Sequence, residues 1–240
     1  MLQAIAGPSE YSPLSQSIEG RDFPGAVAAG VPPGVRAAYC SDIAGIGVDA
    51  DIDRVCRDAV SQLTDQGVEV EEIELKLGSG RPAFLALRGL WFVTQMRSRM
   101  EHRHRFGPNV GNNVRSGLDV TTSDLANAES VRNEIWLTFR EFFERFDYLL
   151  TPCMAVTPFA VEQNYPDTVA GKPMQTYIDW IAPTFVLSLT GLPVASVPAG
   201  IDQAGMPVGL QILGGQFDEE RVLALASVLE RINPIGSPRL

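Results

Sequence analysis

Residues 187–215 read LSLTGLPVASVPAGIDQAGMPVGLQILGG, and this stretch holds two short apolar runs separated by a turn. The runs cover 192–197 and 208–213, and residues 200–205 form the turn between them. Each run is preceded by a proline or a Gly-Leu-Pro corner. Apolar runs of about four to eight residues bounded by glycine and proline are typical of strands buried on both faces. The stretch therefore predicts a pair of strands at the centre of a sheet.

Glycine and proline corners follow one another in this stretch in a fixed order. They are Gly191-Leu192-Pro193, then Ser196-Val197-Pro198-Ala199-Gly200, then Gly205-Met206-Pro207-Val208-Gly209-Leu210-Gln211, with an acid-led helix predicted after Gly214-Gly215. This pattern resembles the carboxyl-terminal signature of the amidase signature family. The resemblance implies an α/β fold and a hydrolase of carbon–nitrogen bonds in amides.

Composition and charge exclude several classes of protein. A chain of 240 residues with 45% hydrophobic and 20% charged residues is typical of a soluble globular protein. A formal net charge of -10, with Lys76 and Lys172 as the only lysines, argues against nucleic acid or anionic membrane surfaces as partners. Three cysteines without CxxC spacing, and no apolar run near the roughly 20 residues of a membrane span, predict a reduced, cytoplasmic protein.

The amino-terminal third predicts a strand, a helix and a second strand. Residues 35–40 form the first strand, 51–66 carry apolar residues at helical spacing, and 68–75 alternate apolar and acidic residues. Such a unit favours parallel pairing of its two strands. Residues 1–6 predict the end of a helix, and 8–34, which are rich in glycine, proline and serine, predict a surface loop.

Two long helices are predicted next, over 82–106 and 121–146, packed as an antiparallel pair. The linker 107–120 is rich in glycine and asparagine, and we expect it to be mobile or at the surface. The remaining predicted elements are a strand at 147–152, an irregular segment at 155–173, a helix at 177–189 kinked or split near Pro183, and a helix at 218–232.

We therefore predict a single domain over residues 1–240 with an α/β fold, in which a mixed β-sheet is flanked by helices on both faces. The resemblance implies that this is the carboxyl-terminal portion of an amidase-signature fold, which completes one sheet with a catalytic half. Without that half, apolar strand edges and faces are uncovered and favour association. We expect self-association or a partner chain that covers the exposed sheet.

The family's catalytic residues are not found in this sequence. Members of the family use a serine activated through a second serine and a lysine, with backbone amides that hold the oxyanion. Neither Lys76 nor Lys172 precedes a Gly-Gly-Ser-Ser type segment or a Ser-Ser pair. The resemblance thus covers the downstream half of the family pattern. We expect a truncated or split amidase that contributes the acyl-pocket wall and sheet and does not hydrolyse a small-molecule amide by itself.

A second interpretation comes from another functional class. The chain would be a non-catalytic binding module or partner subunit that keeps an amidase-like fold. An in-frame lysine and serine pair encoded upstream of Met1 would distinguish a truncated enzyme from such a module.

The resemblance also implies substrate-binding residues. Arg132 lies fifteen positions before Asp147, where the corresponding subunits of glutamine-using amidotransferases have an arginine that faces the substrate carboxylate. A guanidinium at this position can bind a carboxylate bidentately. The alternative is an exposed helical arginine paired with Glu129 or Glu134.

Residues 177–190 resemble the segment that lines the acyl pocket, and they supply Trp180, Ile181, Thr184 and Phe185. Thr184 keeps a family threonine. Ile181 stands where glutamine-specific members carry an aspartate for the substrate amino group, and an apolar side chain cannot pair with an ammonium. This departure favours an apolar or aromatic amide. The alternative is that the apolar members of the set are core residues.

Other reactive side chains have simpler interpretations. His102 and His104 have a spacing found in metal sites, but the surrounding arginines favour a solvated basic helix end, and the spacing of a Ser-His-Asp hydrolase is absent. Cys153 lacks an evident base and is predicted to be a buried structural cysteine. No cofactor motif and no metal site are predicted.

Overall fold

The computed structural model describes residues 1–234, and its strands form one large sheet and one small hairpin. The strands are β1 (Val35–Tyr39), β2 (Val68–Glu72), β3 (Tyr148–Pro152), β4 (Thr168–Val169), β5 (Lys172–Pro173), β6 (Val194–Ile201) and β7 (Pro207–Leu213). The large sheet has the order β2, β1, β3, β7, β6, and β4 pairs with β5 apart from it. β1 is parallel to β2 and β3, whereas β7 is antiparallel to β3 and β6. The predicted mixed sheet is confirmed.

Helices cover both faces of this sheet, as predicted. They are α1 (Leu2–Ile5), α2 (Phe23–Ala29), α3 (Ala50–Thr64), α4 (Gly80–Met96), α5 (Pro108–Leu118), α6 (Thr122–Phe142), α7 (Ala182–Ser188) and α8 (Glu219–Ile232), with 3₁₀ segments at Arg97–Arg105 and Asp179–Ile181. α3 and α8 pack on one face, and α4, α6 and α7 pack on the other. In the described part of the chain, no helix has the length and apolar character needed to cross a membrane.

The strand, helix and strand predicted near the amino terminus form a parallel unit. Val35 pairs with Val68 at the start of the two strands, and Tyr39 pairs with Glu72 at their end. The apolar stripe of α3 lies against the sheet, where Cys56 and Leu63 are fully buried. β2 ends at Glu72, earlier than predicted, and the Ile73 amide makes one further hydrogen bond to the Tyr39 carbonyl of β1, at 2.9 Å.

The two apolar runs of residues 187–215 do pair, but only one of them is central. β7 lies between β3 and β6, whereas β6 is the edge of the described sheet. Val194 is 39% exposed and Ile201 is 52% exposed on this edge strand. The prediction that both strands lie at the sheet centre is therefore wrong for β6.

The predicted linker 107–120 is mostly the helix α5, so the prediction of a connecting loop is wrong, although the segment does lie at the surface with Val114 as its one buried residue. Gly107 has an extended N-cap conformation, and Pro108 fits the first turn, where its missing N–H is not needed. Val114 is buried, and Gly117 lies directly on Gly89 of α4. Glycine at both contact positions lets the two backbones approach closely, and this tertiary contact compensates for the low helix propensity of the segment.

Two other boundaries differ from the sequence prediction. The predicted loop 8–34 contains α2, whose N-cap Asp22 accepts a hydrogen bond from the Gly25 amide at 2.9 Å. The predicted helix 82–106 ends as an α-helix at Met96 and continues as the 3₁₀ segment.

The antiparallel packing of α4 and α6 agrees with the contacts at both ends of α4. Gly80 at the start of α4 approaches Ile135 late in α6, and Gly89 approaches Val120, which precedes α6. α6 begins with a capping box between Thr121 and Asp124. The predicted split of 177–189 is observed, because Pro183 lies in the first turn of α7 after the 3₁₀ segment Asp179–Ile181.

Candidate functional site

An apolar cavity of about 390 Å³ lies where β3 ends and β7 begins. Its wall includes Cys153 and Phe159 from the segment after β3, Trp180 from the 3₁₀ segment, and Gly209 from β7. The rings of Trp180 and Phe159 meet edge to face with centroids 5.1 Å apart. None of the residues that line this cavity carries a charged side chain. We call it the Trp180 cavity.

A thiol and a hydroxyl lie together at this cavity. The Ser196 hydroxyl donates to the Cys153 sulfur at an Oγ–Sγ distance of 3.4 Å. Cys153 is half-buried, so the prediction of a buried cysteine is wrong for this position. The other two cysteines are buried, and burial raises the pKa of the Cys40 thiol and raises that of Cys56 to about 12. Neither of these two is a candidate nucleophile, because the reactive form is the thiolate.

The sheet places a row of polar side chains beside the cavity. Thr151, Gln211 and Ser196 are in register on β3, β7 and β6. Gln211 is buried and donates from Nε2 to the carbonyls of Pro152 and Pro183, at 3.2 Å each. This one side chain therefore ties the end of β3 to the first turn of α7. Gln211 is part of the family signature in the sequence but was assigned no role there, although a glutamine inside an apolar strand was a usable signal.

Thr151 in this row and Trp180 beside it each have a polar atom that is buried without a hydrogen-bond partner among the described residues. They are Thr151 Oγ1 and Trp180 Nε1. Buried polar groups are usually paired, so each unpaired one calls for an explanation. The Trp180 side chain lines the cavity, and its buried N–H is a donor without an acceptor among the described residues.

Asp179 fixes the segment that carries Trp180. Its carboxylate is 8% exposed, accepts from the amides of Gln175 and Thr176 at 3.0 and 2.8 Å, and accepts from Arg81 Nε at 2.9 Å. Burial alone would raise the pKa of Asp179, but these hydrogen bonds and the guanidinium hold it below its usual value. The charged carboxylate thus anchors the cavity wall to the start of α4. Sequence reasoning did not identify either partner.

The other residues proposed from 177–190 lie in or next to the helical core. Phe185 is buried and stacks on Phe84 with ring centroids 4.3 Å apart. Ile181 packs partly buried against the same core, and the Thr184 hydroxyl donates to the Ile181 carbonyl at 2.8 Å. Of the four residues proposed from this segment, only Trp180 lines the Trp180 cavity.

Arg132 lies elsewhere, on the exposed side of α6. It forms an ion pair with Glu129 at 2.6 Å, which is one of the two pairings expected for an exposed helical arginine. It also lines a groove of about 370 Å³ with Arg88 and Trp91. The Arg88 guanidinium lies 4.7 Å from the centroid of the Phe92 ring and has no ion pair among the described residues. The structure therefore places Trp180 and Arg132 in separate cavities, and Ile181, Thr184 and Phe185 in neither of them.

The remaining candidates lie outside both cavities. His102 and His104 are exposed, and the described residues contain no cluster of three or more His, Cys, Asp and Glu side chains that could hold a metal ion. Lys76 pairs with Glu74 at 3.2 Å, and Lys172 donates to the Gly45 carbonyl at 3.2 Å.

Known proteins resemble this chain over nearly its whole length. The family model described as Amidase matches residues 1–223. An acylamidase from Rhodococcus erythropolis is 27% identical, covering 98% of this chain and 50% of its own length. The glutamyl-tRNA(Gln) amidotransferase of Brevibacillus brevis has a subunit that is also 27% identical, covering 96% of this chain and 51% of its own length. The chain thus spans about half the length of these curated relatives.

Solved structures share the fold. A bacterial aryl acylamidase of the amidase signature family superposes with a TM-score of 0.84 at 23% identity, covering 95% of this chain and 49% of that one. A 6-aminohexanoate cyclic dimer hydrolase superposes with a TM-score of 0.78 at 17% identity, covering 95% of this chain and 51% of that one.

Proposed function

Since this chain belongs to the amidase signature family, we propose that it supplies one wall of the acyl pocket and part of the sheet of an enzyme that hydrolyses carbon–nitrogen bonds in amides. The observation that carries this proposal is the Trp180 cavity, which combines an apolar lining with an unpaired indole N–H. An apolar cavity with a few placed polar groups is the usual form of a small-molecule site.

The lining of the cavity favours a neutral amide with an apolar or aromatic acyl group. A buried ammonium would find no carboxylate among the lining residues, and such a charge is costly to bury unpaired. Ile181, in place of the family's aspartate, lies against the helical core outside this lining and likewise supplies no carboxylate. The Trp180 N–H is a suitable donor to the carbonyl oxygen of an amide. We therefore disfavour a glutamine-dependent amidotransferase.

The catalytic serine is proposed to come from residues outside these 240. Lys76 and Lys172 are engaged with Glu74 and Gly45, and neither precedes a serine pair in the sequence.

The exposed edge of β6 is the surface proposed for a catalytic half or for a second copy of the chain. Its exposed Val194 and Ile201 favour association over a free edge.

A fluorophosphonate labelling experiment tests the catalytic part of the proposal. The chain is labelled alone and after mixing with the catalytic half of a related amidase, and adducts are located by mass spectrometry. We expect an adduct only in the mixture, on the added half. A stoichiometric adduct on this chain alone would refute the division of labour and would identify the nucleophile.

Binding of a neutral aryl amide tests the cavity. Acetanilide binding is followed by ligand-observed NMR for Trp180→Phe, which removes the N–H and keeps a ring, and for Trp91→Phe as the control. Trp91 lies in the groove with Arg132 and is 54% exposed. Losing one hydrogen bond predicts binding about threefold to tenfold weaker for Trp180→Phe only. Equal effects of the two variants would contradict the assignment.

The alternative is a non-catalytic binding module or partner subunit with the same fold. The observation that favours it is that both lysines lie apart from any serine pair while the Trp180 cavity is intact. Acetanilide binding without serine labelling, in a mixture whose two halves associate by sedimentation, would support this alternative.

A further inference from the structure

The 3₁₀ segment Arg97–Arg105 is a basic surface in an acidic protein. It reads RSRMEHRHR, with four arginines in nine residues, whereas the formal net charge of the chain is -10. None of its residues is buried, so its sequence is not explained by core packing. The segment is kinked at His102, whose backbone angles (φ -98°, ψ 15°) are not helical, so it consists of two short turns.

The arginines of this surface differ from most others in the chain because they have no acidic partner. Among residues 1–234, no carboxylate lies within 4.0 Å of the guanidinium of Arg97, Arg99, Arg103 or Arg105, nor of Arg115 on α5. Eight other arginines do form ion pairs: Arg21, Arg36, Arg54, Arg57, Arg81, Arg132, Arg145 and Arg221. Unpaired arginines at one place are available to an anionic ligand.

Two of these arginines line a cavity of about 400 Å³ between the 3₁₀ segment and α5. Arg103, His104 and Arg115 supply its polar groups. Phe106, Val114 and Leu118 supply an apolar surface, and no acidic residue belongs to the lining. Small-molecule sites have volumes of about 300–1,000 Å³, so the cavity is large enough for a small organic ligand. We call it the arginine cavity.

The wall formed by α5 is held in place from two sides. Gly117 packs on Gly89 of α4, and Asn113 donates from Nδ2 to the Tyr177 hydroxyl and to the Asn109 carbonyl. Val114, between these contacts, is buried. Because this wall is already fixed, less conformational entropy of the protein is lost when a ligand binds against it.

We propose that the arginine cavity binds an organic anion, with its carboxylate or phosphate between Arg103 and Arg115 and its apolar body on Phe106 and Leu118. Guanidinium groups pair with both oxyanions through charge-assisted, bidentate hydrogen bonds. Leu118 is 55% exposed, so an apolar ligand would cover surface that now faces water. The site involves neither the Trp180 cavity nor Arg132, and the proposal does not depend on amide hydrolysis.

Calorimetric titration of the full chain with four probes tests this proposal. Hexanoate and hexyl phosphate carry both features, hexanol lacks the charge, and acetate lacks the apolar body. Arg103→Ala and Arg115→Ala each remove one guanidinium. Arg99→Ala is the matched control, since Arg99 lies in the same segment but outside the cavity lining. Circular dichroism verifies that all variants are folded.

We expect hexanoate or hexyl phosphate to bind, and each cavity variant to weaken binding by about tenfold or more, as for a lost charge-assisted hydrogen bond. Arg99→Ala should change the affinity less than about twofold, and 0.5 M salt should weaken binding, because surface charges are screened. Tighter binding of hexyl phosphate than of hexanoate identifies phosphate as the ligand's charged group, and the reverse order identifies carboxylate. The proposal is overturned if neither anion binds at millimolar concentration, if hexanol binds equally well, or if all three variants weaken binding equally.

Discussion

Replacement of Gly117 by alanine tests the contact that turns the predicted linker into a helix. A Cβ at this position would meet the Gly89 carbonyl, lying 2.7 Å from its carbon and 2.9 Å from Val93 Cγ2. Two of the atoms it meets belong to the backbone of Gly89, so a change of rotamer cannot remove the clash. α5 would have to move away from α4.

The expected cost follows from two opposing effects. Alanine is favoured over glycine within a helix by about 0.5–1 kcal/mol. An added carbon in a close contact costs about 1–3 kcal/mol. The net prediction is a free energy of unfolding lower by up to about 2.5 kcal/mol, since the clash at least cancels the gain in propensity.

Gly111→Ala is the matched control on the same helix. Its added Cβ would lie 4.0 Å from Phe106 Cβ, which is an ordinary contact. We therefore expect this variant to be more stable than the wild type by about 0.5–1 kcal/mol. Urea denaturation followed by far-ultraviolet circular dichroism measures both. If Gly117→Ala is stabilised as much as Gly111→Ala, α5 does not pack on Gly89 as described.

Three other predictions concern the site and the sheet edge. Asp179→Asn should lower stability at pH 7 by about 2–4 kcal/mol, because it leaves Arg81 and two amides without their anion. Since the pKa of Asp179 is lowered on folding, its carboxylate stabilises the protein above about pH 4, and this contribution is lost as the pH falls through the folded-state pKa. The difference between the urea midpoints of Asp179→Asn and the wild type should therefore narrow as the pH falls below about 4; a difference that does not change with pH would contradict the role of the charge. Gln211→Leu should cost about 1–3 kcal/mol and speed hydrogen exchange of α7 amides, and unchanged exchange would argue against the tie between β3 and α7. Lysine at both Val194 and Ile201 should weaken self-association on the β6 edge by at least about tenfold in sedimentation equilibrium, whereas an unchanged dissociation constant would place the interface elsewhere.

Much of the fold follows from local pattern. The apolar spacing of residues 51–66 predicts α3, because this helix buries one face against the sheet. The alternation of apolar and acidic residues predicts β2, because this strand has one face that is more buried than the other. Pairing of Thr121 with Asp124 marks the start of α6. For α2 the signals were present but overlooked: Asp22 is an N-cap residue, and Pro24 fits the first turn.

What sequence did not predict depends on contacts between distant residues. The low helix propensity of 107–120 is overcome by the approach of Gly117 to Gly89, which no local pattern records. Trp180 was proposed from the family resemblance, but its anchor Asp179 and the neighbouring Gln211 act through partners dozens of residues away. Arg132 shows the opposite case, since its pairing with Glu129, three residues away on the same helix, was one of the two pairings that the sequence predicted for an exposed arginine.

The place of β3 in the sheet also has a consequence for how the chain folds. β3 joins β1 on one side and β7 on the other, although α4, α5 and α6 lie between β1 and β3 in the sequence. Closing such a long loop costs chain entropy before any pairing compensates for it, and non-local strands fold slowly. During synthesis, β1 must wait with an open edge until the three helices and then β3 have left the ribosome. Until β3 is inserted, this open edge is a place at which a nascent chain can misassemble.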